Sequence, residues 1–368
     1  MKTYPLQSIS IEEAYEKQFK LVDAITRNFT GTESLTRGDL GVHQPENEPI
    51  TTMKAEKAIA SFFDVDKAIL VRGSGTGAIR YALSSVIKVN ETILVHDAPI
   101  YSTTLTSFEM LGLNIVRANF NDLEDIKRVI SDNPEIKACL VQTTRQAIED
   151  KYDLEEVIQT IKSTRDIPII VDDNYAVMKV KKIGVECGAD LSCFSSFKLQ
   201  GPEGIGIVVG KEEYVNRIRK MHYSGGCQTQ GHEALDVLRG LTYAPVMLAI
   251  TAKEVEKTLS KLQNGEIPEI KDAFIANAQS KVLLVELSEP IAKKVLENAN
   301  LLGALPNPVG AESKYELAPM FYKVSGTFLK KDPTLIDTML RINCNRASSE
   351  TVLRILKEAI KASKESIL

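Results

Sequence analysis

Short apolar runs alternate through the middle of the chain with stretches whose apolar residues recur at helical spacing. The runs are AIL, TILV, NIVRA, ACLV, IPIIV, LSCF and IGIVV, and between most of them lie segments such as AIRYALSSVI, LEDIKRVI and LEEVIQTIKS. Near-continuous apolar strands joined by helices predict a mostly parallel sheet covered on both faces. Seven such runs between residues 68 and 209 predict a large α/β domain, taken as residues 50–250. Before it, IEEAYEKQFKLVDAI has Ile11, Ala14, Tyr15, Leu21, Val22 and Ile25 at helical spacing, followed by the irregular RGDLGVHQPENEP. After it, EALDVLRGLTYAPVMLAITAKEVEKTLSKL predicts a long helix broken near Pro245. KVLLVEL, PIAKKVLENA, MFYKV, TMLRINCN and ETVLRILKEAIKAS then alternate strand and helix patterns. A smaller α+β domain built from residues 1–49 and 251–368 is the expectation.

Composition adds mainly exclusions. With 43% hydrophobic and 26% charged residues and a net charge of −4, the 368-residue chain carries no basic footprint for nucleic acid and no polybasic membrane patch. The opening MKTYPLQSISIEEAYEKQF bears acids early and lacks an apolar leader core, so no signal peptide is expected. No apolar run approaching ~18 residues was read, so no membrane span is expected. Cys139, Cys187, Cys193, Cys227 and Cys344 are odd in number and form no CxxC pair, which fits free thiols in a reducing cytoplasm rather than disulfides or zinc. A nucleophilic cysteine would need a partner among His43, His96, His222 and His232, and no motif joins them.

Four places carry candidate chemistry. In AILVRGSGTGAIRYAL a strand runs into Gly73-Ser74-Gly75-Thr76-Gly77 and then a helix, an arrangement that turns backbone N–H groups and two hydroxyls toward an anion. Gly73-x-Gly75-x-x-Ala78 with Asp97 downstream also matches a dinucleotide fingerprint. IIVDDNYAVMKV ends a buried strand in Asp172, with Tyr175 three residues later. Strand C-termini of a parallel sheet open into the ligand crevice. CFSSFKLQGPEGIGIVVG places Ser195, Ser196 and Lys198 at such an end, where burial turns an amine into a nucleophile toward aldehydes. Tyr101, past TILVHDAP, supplies an aromatic face for a flat ligand.

One ligand uses all four: pyridoxal 5′-phosphate. Its phosphate suits Gly73–Gly77, its aldehyde suits Lys198 as a Schiff base, its pyridinium nitrogen needs an acid such as Asp172, its 3′ oxygen suits Tyr175, and its ring suits Tyr101. A dinucleotide explains the first place and leaves Lys198 unused.

GSGTGAIR, VDDNY 26 residues before the lysine, and SSFK followed by GPEG resemble the fold type I pyridoxal phosphate enzymes, the aspartate aminotransferase superfamily. Over its whole length the sequence is also similar to a group of bacterial aminotransferase-like proteins. That resemblance implies a two-domain PLP-dependent transferase fold, with Lys198 as the Schiff-base lysine and Asp172 on the ring nitrogen. It assigns Ser195, Ser74, Gly75 and Thr76 to the phosphate, and Arg341 in MLRINCN to a substrate α-carboxylate. It further implies a homodimer with active sites at the subunit interface, near YSGGCQTQGHEALD, where His222 and Tyr223 are read as structural rather than as contributors across the boundary. Some positions depart from the pattern. Gly206 stands where many aminotransferases have a second phosphate-binding arginine. LVQTTRQ replaces the asparagine motif that holds the ring oxygen, so Gln142 is the expected substitute and Arg145 is expected to reach the site. Tyr101 is more like the tyrosine of the sulfur amino-acid lyases. The expected activity is an aminotransferase working on an amino acid and a 2-oxo acid, with a carbon–sulfur β/γ-eliminating lyase as the alternative.

Overall fold

A computed structural model describes residues 3–45, 47–276, 281–308, 312–324, 329 and 332–365. The chain divides into two compact units, Ile9–Val246 and a smaller one made of the residues up to Ser8 with those from Met247 onward.

The larger unit is built on seven strands: β1 (Lys67–Arg72), β2 (Thr92–His96), β3 (Asn114–Ala118), β4 (Ile136–Gln142), β5 (Ile169–Asp172), β6 (Leu191–Ser195) and β7 (Ile205–Gly210), in the order β1-β7-β6-β5-β4-β2-β3. These are the seven apolar runs of the sequence. Only β7 runs against its neighbours. The chain turns back between Ser195 and Ile205, too short a distance for the crossover a parallel neighbour needs. Because β1 opposes β7 and β7 opposes β6, β1 runs with the others. Its C-terminal end therefore opens at the same edge as those of β4, β5 and β6.

Helices cover both faces: α1 (Ile11–Asn28), α2 (Ile50–Phe63), α3 (Ser74–Val86), α4 (Ser102–Met110), α5 (Leu123–Asp132), α6 (Leu154–Thr164), α7 (Glu212–Met221) and the start of α8 (Gly231–Gln263). Alternate strand residues enter different cores, as a two-residue period requires. Ile93, Ala138, Ile170 and Cys193 pack with Ala78, Ala82 and Leu83 of α3, while Leu94, Cys139, Val171 and Ile169 pack with Ile126 of α5 and Ile158 of α6.

Two sequence expectations change. Residues 9–49 belong with the larger unit, since α1 buries Ala14, Leu21 and Ala24 and packs on α2. A Ser10–Glu13 capping box starts that helix. The long helix α8 also continues unbroken through Pro245, with the unit boundary one residue beyond. Residues 225–263 are, by length and composition alone, long and apolar enough to cross a membrane, which the sequence reading missed. Most of their apolar window is buried inside the protein, with Leu235, Leu238, Leu241, Ala244 and Leu248 in its core.

The smaller unit is an antiparallel sheet of β8 (Ile270–Ile275), β9 (Leu283–Leu287), β10 (Met320–Lys323) and β11 (Met339–Asn343), ordered β10-β11-β9-β8. Helices α9 (Ala292–Leu301) and α10 (Ser349–Glu365) share its core through Val295, Leu340, Ile342, Leu356 and Ile360.

Candidate active site

The glycine-rich turn between β1 and α3 is held by backbone contacts. Gly73 adopts φ 96°, and the Gly73 and Ser74 amides donate to the Gly204 carbonyl at 2.8 and 3.0 Å. A Cβ on Gly77 would lie 2.0 Å from the Arg72 carbonyl oxygen, so only glycine lets the helix start against its own strand. Gly206 on β7 is equally closed. A Cβ there would meet the Ser74 carbonyl oxygen at 2.2 Å, which leaves no room for the arginine of related enzymes. Ser74, at φ 58°, brings its hydroxyl within 2.6 Å of the Ser195 hydroxyl, and Thr76 donates to Thr103 at 3.2 Å.

Strand parity decides which aspartate faces this turn. Asp172 and Ser195 continue the face that packs against α3, and Asp173 points to the opposite one. There Asp173 accepts from Thr143 at 2.6 Å and from the Gly184 amide, with burial pushing its pKa up to about 6. Asp172 is buried at the end of β5, in register with Gln142 on β4 and Cys193 on β6. Burial raises its pKa, opposed by hydrogen bonds from Asn174 and by the charge of Lys198.

Lys198 lies in the single 3-10 turn Phe197–Leu199 after β6. Ser196 braces the turn by donating to the Pro202 and Ile205 carbonyls at 2.9 Å each, and its own carbonyl accepts from the Gly201 amide. The Lys198 ammonium lies 3.7 Å from the centre of the Tyr175 ring, with Tyr175 in the left-handed region at φ 67°. A cation over an aromatic face is attracted by its quadrupole.

A cleft of about 450 Å³, open to solvent, is lined by His96, Tyr101, Gln142, Gln146, Tyr152 and Asp172 among others. It brings Tyr101 and Gln142 together with Asp172. Arg145 is bound to Tyr152, itself one of the residues that line this cleft. Its guanidinium donates to the Tyr152 carbonyl at 2.6 Å and lies over the Tyr152 ring. Arg341 sits on β11 of the smaller unit, where its Nε donates to the Lys323 carbonyl at 2.8 Å and its guanidinium covers Tyr322 at 4.0 Å. His222 packs inside the larger unit as a structural residue. It is fully buried with its ring edge-on to Tyr81, and burial holds its pKa at about 4.

Sequence reasoning missed Asn174 and the His96–Asp150 pair. Asn174 lies inside the VDDNY motif, but beyond its neighbour Asp172 its contacts are with Ser195 and Gly75, distant along the chain. His96 accepts from the Phe120 amide through Nδ1 at 3.0 Å, so Nε2 carries the proton and donates to Asp150 at 2.9 Å. The only signal for it was a histidine at a strand end.

The profile of the class-V aminotransferase family matches residues 16–279, and that of the YhfS-like C-terminal domain matches residues 256–356. The chain is 53% identical over 360 residues to the uncharacterised protein YhfS of Escherichia coli K12, covering 98% of this chain and 99% of that one. The crystal structure of the pyridoxal-5′-phosphate-dependent protein YhfS from Escherichia coli matches with a TM-score of 0.97 at 52% identity, over 98% of this chain and 100% of that one. A probable cysteine desulfurase of Ureaplasma parvum is 26% identical over 216 residues, 56% of this chain and 52% of its own. The carbon-sulfur lyase involved in aluminum resistance from Clostridium novyi has the same fold, with a TM-score of 0.72 at 15% identity over 96% of this chain and 91% of that one.

Proposed function

The chain belongs to the class-V aminotransferase family, within the pyridoxal 5′-phosphate-dependent proteins of fold type I, and from that premise we propose that it is an aminotransferase acting on an amino acid through Lys198. A 2-oxo acid is the proposed acceptor.

The residues present fit the cofactor. A phosphate suits a turn whose glycines exclude any Cβ, with the Ser74, Thr76 and Ser195 hydroxyls and the Gly75 amide at the helix start. The buried Asp172 suits a cationic ring nitrogen. Tyr175 and Gln142 are proposed for the ring oxygen and Tyr101 for the ring face. Bound pyridoxal phosphate supplies an aldehyde that condenses with amines and a protonated ring that accepts the electrons left when a proton leaves the substrate's Cα.

The reading is carried by one observation: the Lys198 amine, in a braced turn, 3.7 Å from the Tyr175 ring. Lys198 takes the proton from Cα as general base. Asp172 holds the proton on the ring nitrogen, and Tyr175 keeps the amine over its ring between transfers. Arg341, with Arg145, is proposed for the substrate's α-carboxylate, a role that suits the bidentate guanidinium. Transfer needs one proton carrier, and Lys198 is that group.

Elimination needs a second acid for the leaving group. Tyr101, half-exposed at the cleft and bearing a phenol, favours that second reading. Sulfur transfer to an enzyme thiol has less support. Burial raises the pKa of Cys139, Cys187, Cys193 and Cys344, that of Cys187 and Cys344 to about 12, and a reactive thiol needs the opposite shift.

A homodimer and a reducing cytoplasm remain part of the proposal. Strongly exposed Leu35, Leu40, Tyr223 and Tyr243 support the first, and five free cysteines support the second.

The test is borohydride reduction of the purified holoprotein, followed by an absorbance screen against a panel of amino acids. Label at Lys198 and pyridoxamine phosphate formation, with amino transfer to an added 2-oxo acid, are expected. Ammonia release with no acceptor present would overturn transfer in favour of elimination.

A further inference from the structure

We propose that Asn174 is a positioning residue that ties the two ends of the cofactor site together, aiming the Asp172 carboxylate with one half of its amide and the phosphate-binding serines with the other. The inference rests on the reading that Asp172 and Ser74 with Ser195 hold opposite ends of pyridoxal phosphate.

Asp172 Oδ1 accepts twice from Asn174, from its backbone N–H at 3.0 Å and from its side-chain Nδ2 at 2.8 Å. Both bonds fall on the same oxygen, so Oδ2 is the one that would be left for the ring nitrogen of a bound cofactor. Asn174 Oδ1 in turn accepts the Ser195 amide at 3.1 Å, and the Ser195 hydroxyl meets that of Ser74 at 2.6 Å. An unbroken path of hydrogen-bonding groups thus runs from the acid to the phosphate cradle.

The amide's orientation follows from its partners. Asp172 needs a donor and the Ser195 N–H needs an acceptor, so turning the amide over would oppose like groups at both ends. An aspartate side chain in its place could serve only Ser195 and an alanine side chain neither, while the backbone N–H to Asp172 remains in both. The cradle makes room for this side chain: a Cβ on Gly75 would fall 2.5 Å from Asn174 Oδ1 and 2.7 Å from Nδ2. Asn174 is itself buried. Its donors work against the burial that raises the pKa of Asp172, and without them the acid keeps the proton it should leave on the ring.

The experiment is a binding cycle on refolded or dialysed full-length protein, titrated with pyridoxal phosphate and with pyridoxal, which lacks the phosphate. Wild type is compared with Asn174→Ala and Asn174→Asp, and thermal melting confirms that each is folded. Asn174→Ala is expected to weaken pyridoxal phosphate roughly ten- to hundred-fold, with a smaller benefit from the phosphate than in wild type. Asn174→Asp is expected to weaken both ligands while keeping the wild-type benefit of the phosphate, because the Ser195 amide retains its acceptor. It is also expected to move the pH titration of the bound cofactor's absorbance. Equal affinities with an unchanged titration in either folded variant, or a phosphate benefit in Asn174→Ala as large as in wild type, overturn the role of Asn174. Wild type that takes no borohydride label at Lys198 would instead overturn the underlying reading.

Discussion

The hydroxyls of Ser74 and Ser195 lie 2.6 Å apart, although 121 residues separate them in the chain. One opens the helix after β1 and the other closes β6, so this contact joins the glycine-rich turn to the strand that leads into Lys198.

Ser74→Ala and Ser195→Ala should each weaken pyridoxal phosphate by roughly ten-fold through loss of a hydroxyl from an anion site, and the double variant should lose less than the sum because the two hydroxyls act as a pair. Equilibrium titration of the apoprotein measures this.

Lys198→Ala should abolish turnover and the borohydride-fixed label while leaving the melting temperature within a few degrees of wild type. The side chain is only half-buried and contributes chemistry rather than packing. Mass spectrometry of a digest reads the label, and calorimetry reads the fold.

Gly206→Ala should destabilise the protein by about 1–3 kcal/mol, because the new methyl falls on the Ser74 carbonyl and the turn must shift. Cofactor affinity should fall with stability. Restoring the arginine that related enzymes carry at this position should do worse. Denaturant unfolding with and without cofactor separates the two effects.

His222 gives a signed pH dependence. Burial, with Arg219 and Arg72 nearby, lowers its pKa from 6.5 to about 4, so between those values the unfolded chain binds the proton and the native one does not. The stabilising contribution is complete above about pH 6.5 and is lost as pH falls toward 4, at up to about 1.4 kcal/mol per unit. Neither ring nitrogen has a hydrogen-bond partner among the described residues. His222→Phe should therefore be tolerated, retain the edge contact with Tyr81, and flatten the slope of stability against pH in that window. Unchanged slopes in wild type and variant would contradict this.

Fold and site were not equally legible in the sequence. All seven strands of the large sheet announced themselves as apolar runs, because a strand buried on both faces needs no polar alternation. Lys198 and Asp172 stood out because a charged residue at a buried strand end demands a reason. The unit to which α1 belongs did not show, since an amphipathic face does not name its partner. Pro245 suggested a break that the structure lacks, because one missing N–H in a long helix with a packed core is outweighed by its neighbours. Asn174 was invisible for a different reason. Its importance lies in touching Asp172, Ser195 and Gly75 at once, and only the fold brings those three together.

The pairing of β1 with β7 governs when this site comes into being. Lys67 sits across from Gly210, and the amides of Gly73 and Ser74 rest on the carbonyl of Gly204. A nascent chain emerging from the ribosome therefore makes its glycine-rich turn early and waits for more than a hundred further residues before the Gly204 carbonyl anchors it. Vitamin B6 capture is accordingly expected late in biosynthesis, and fragments truncated ahead of position 204 are expected to stay colourless however well their helices form.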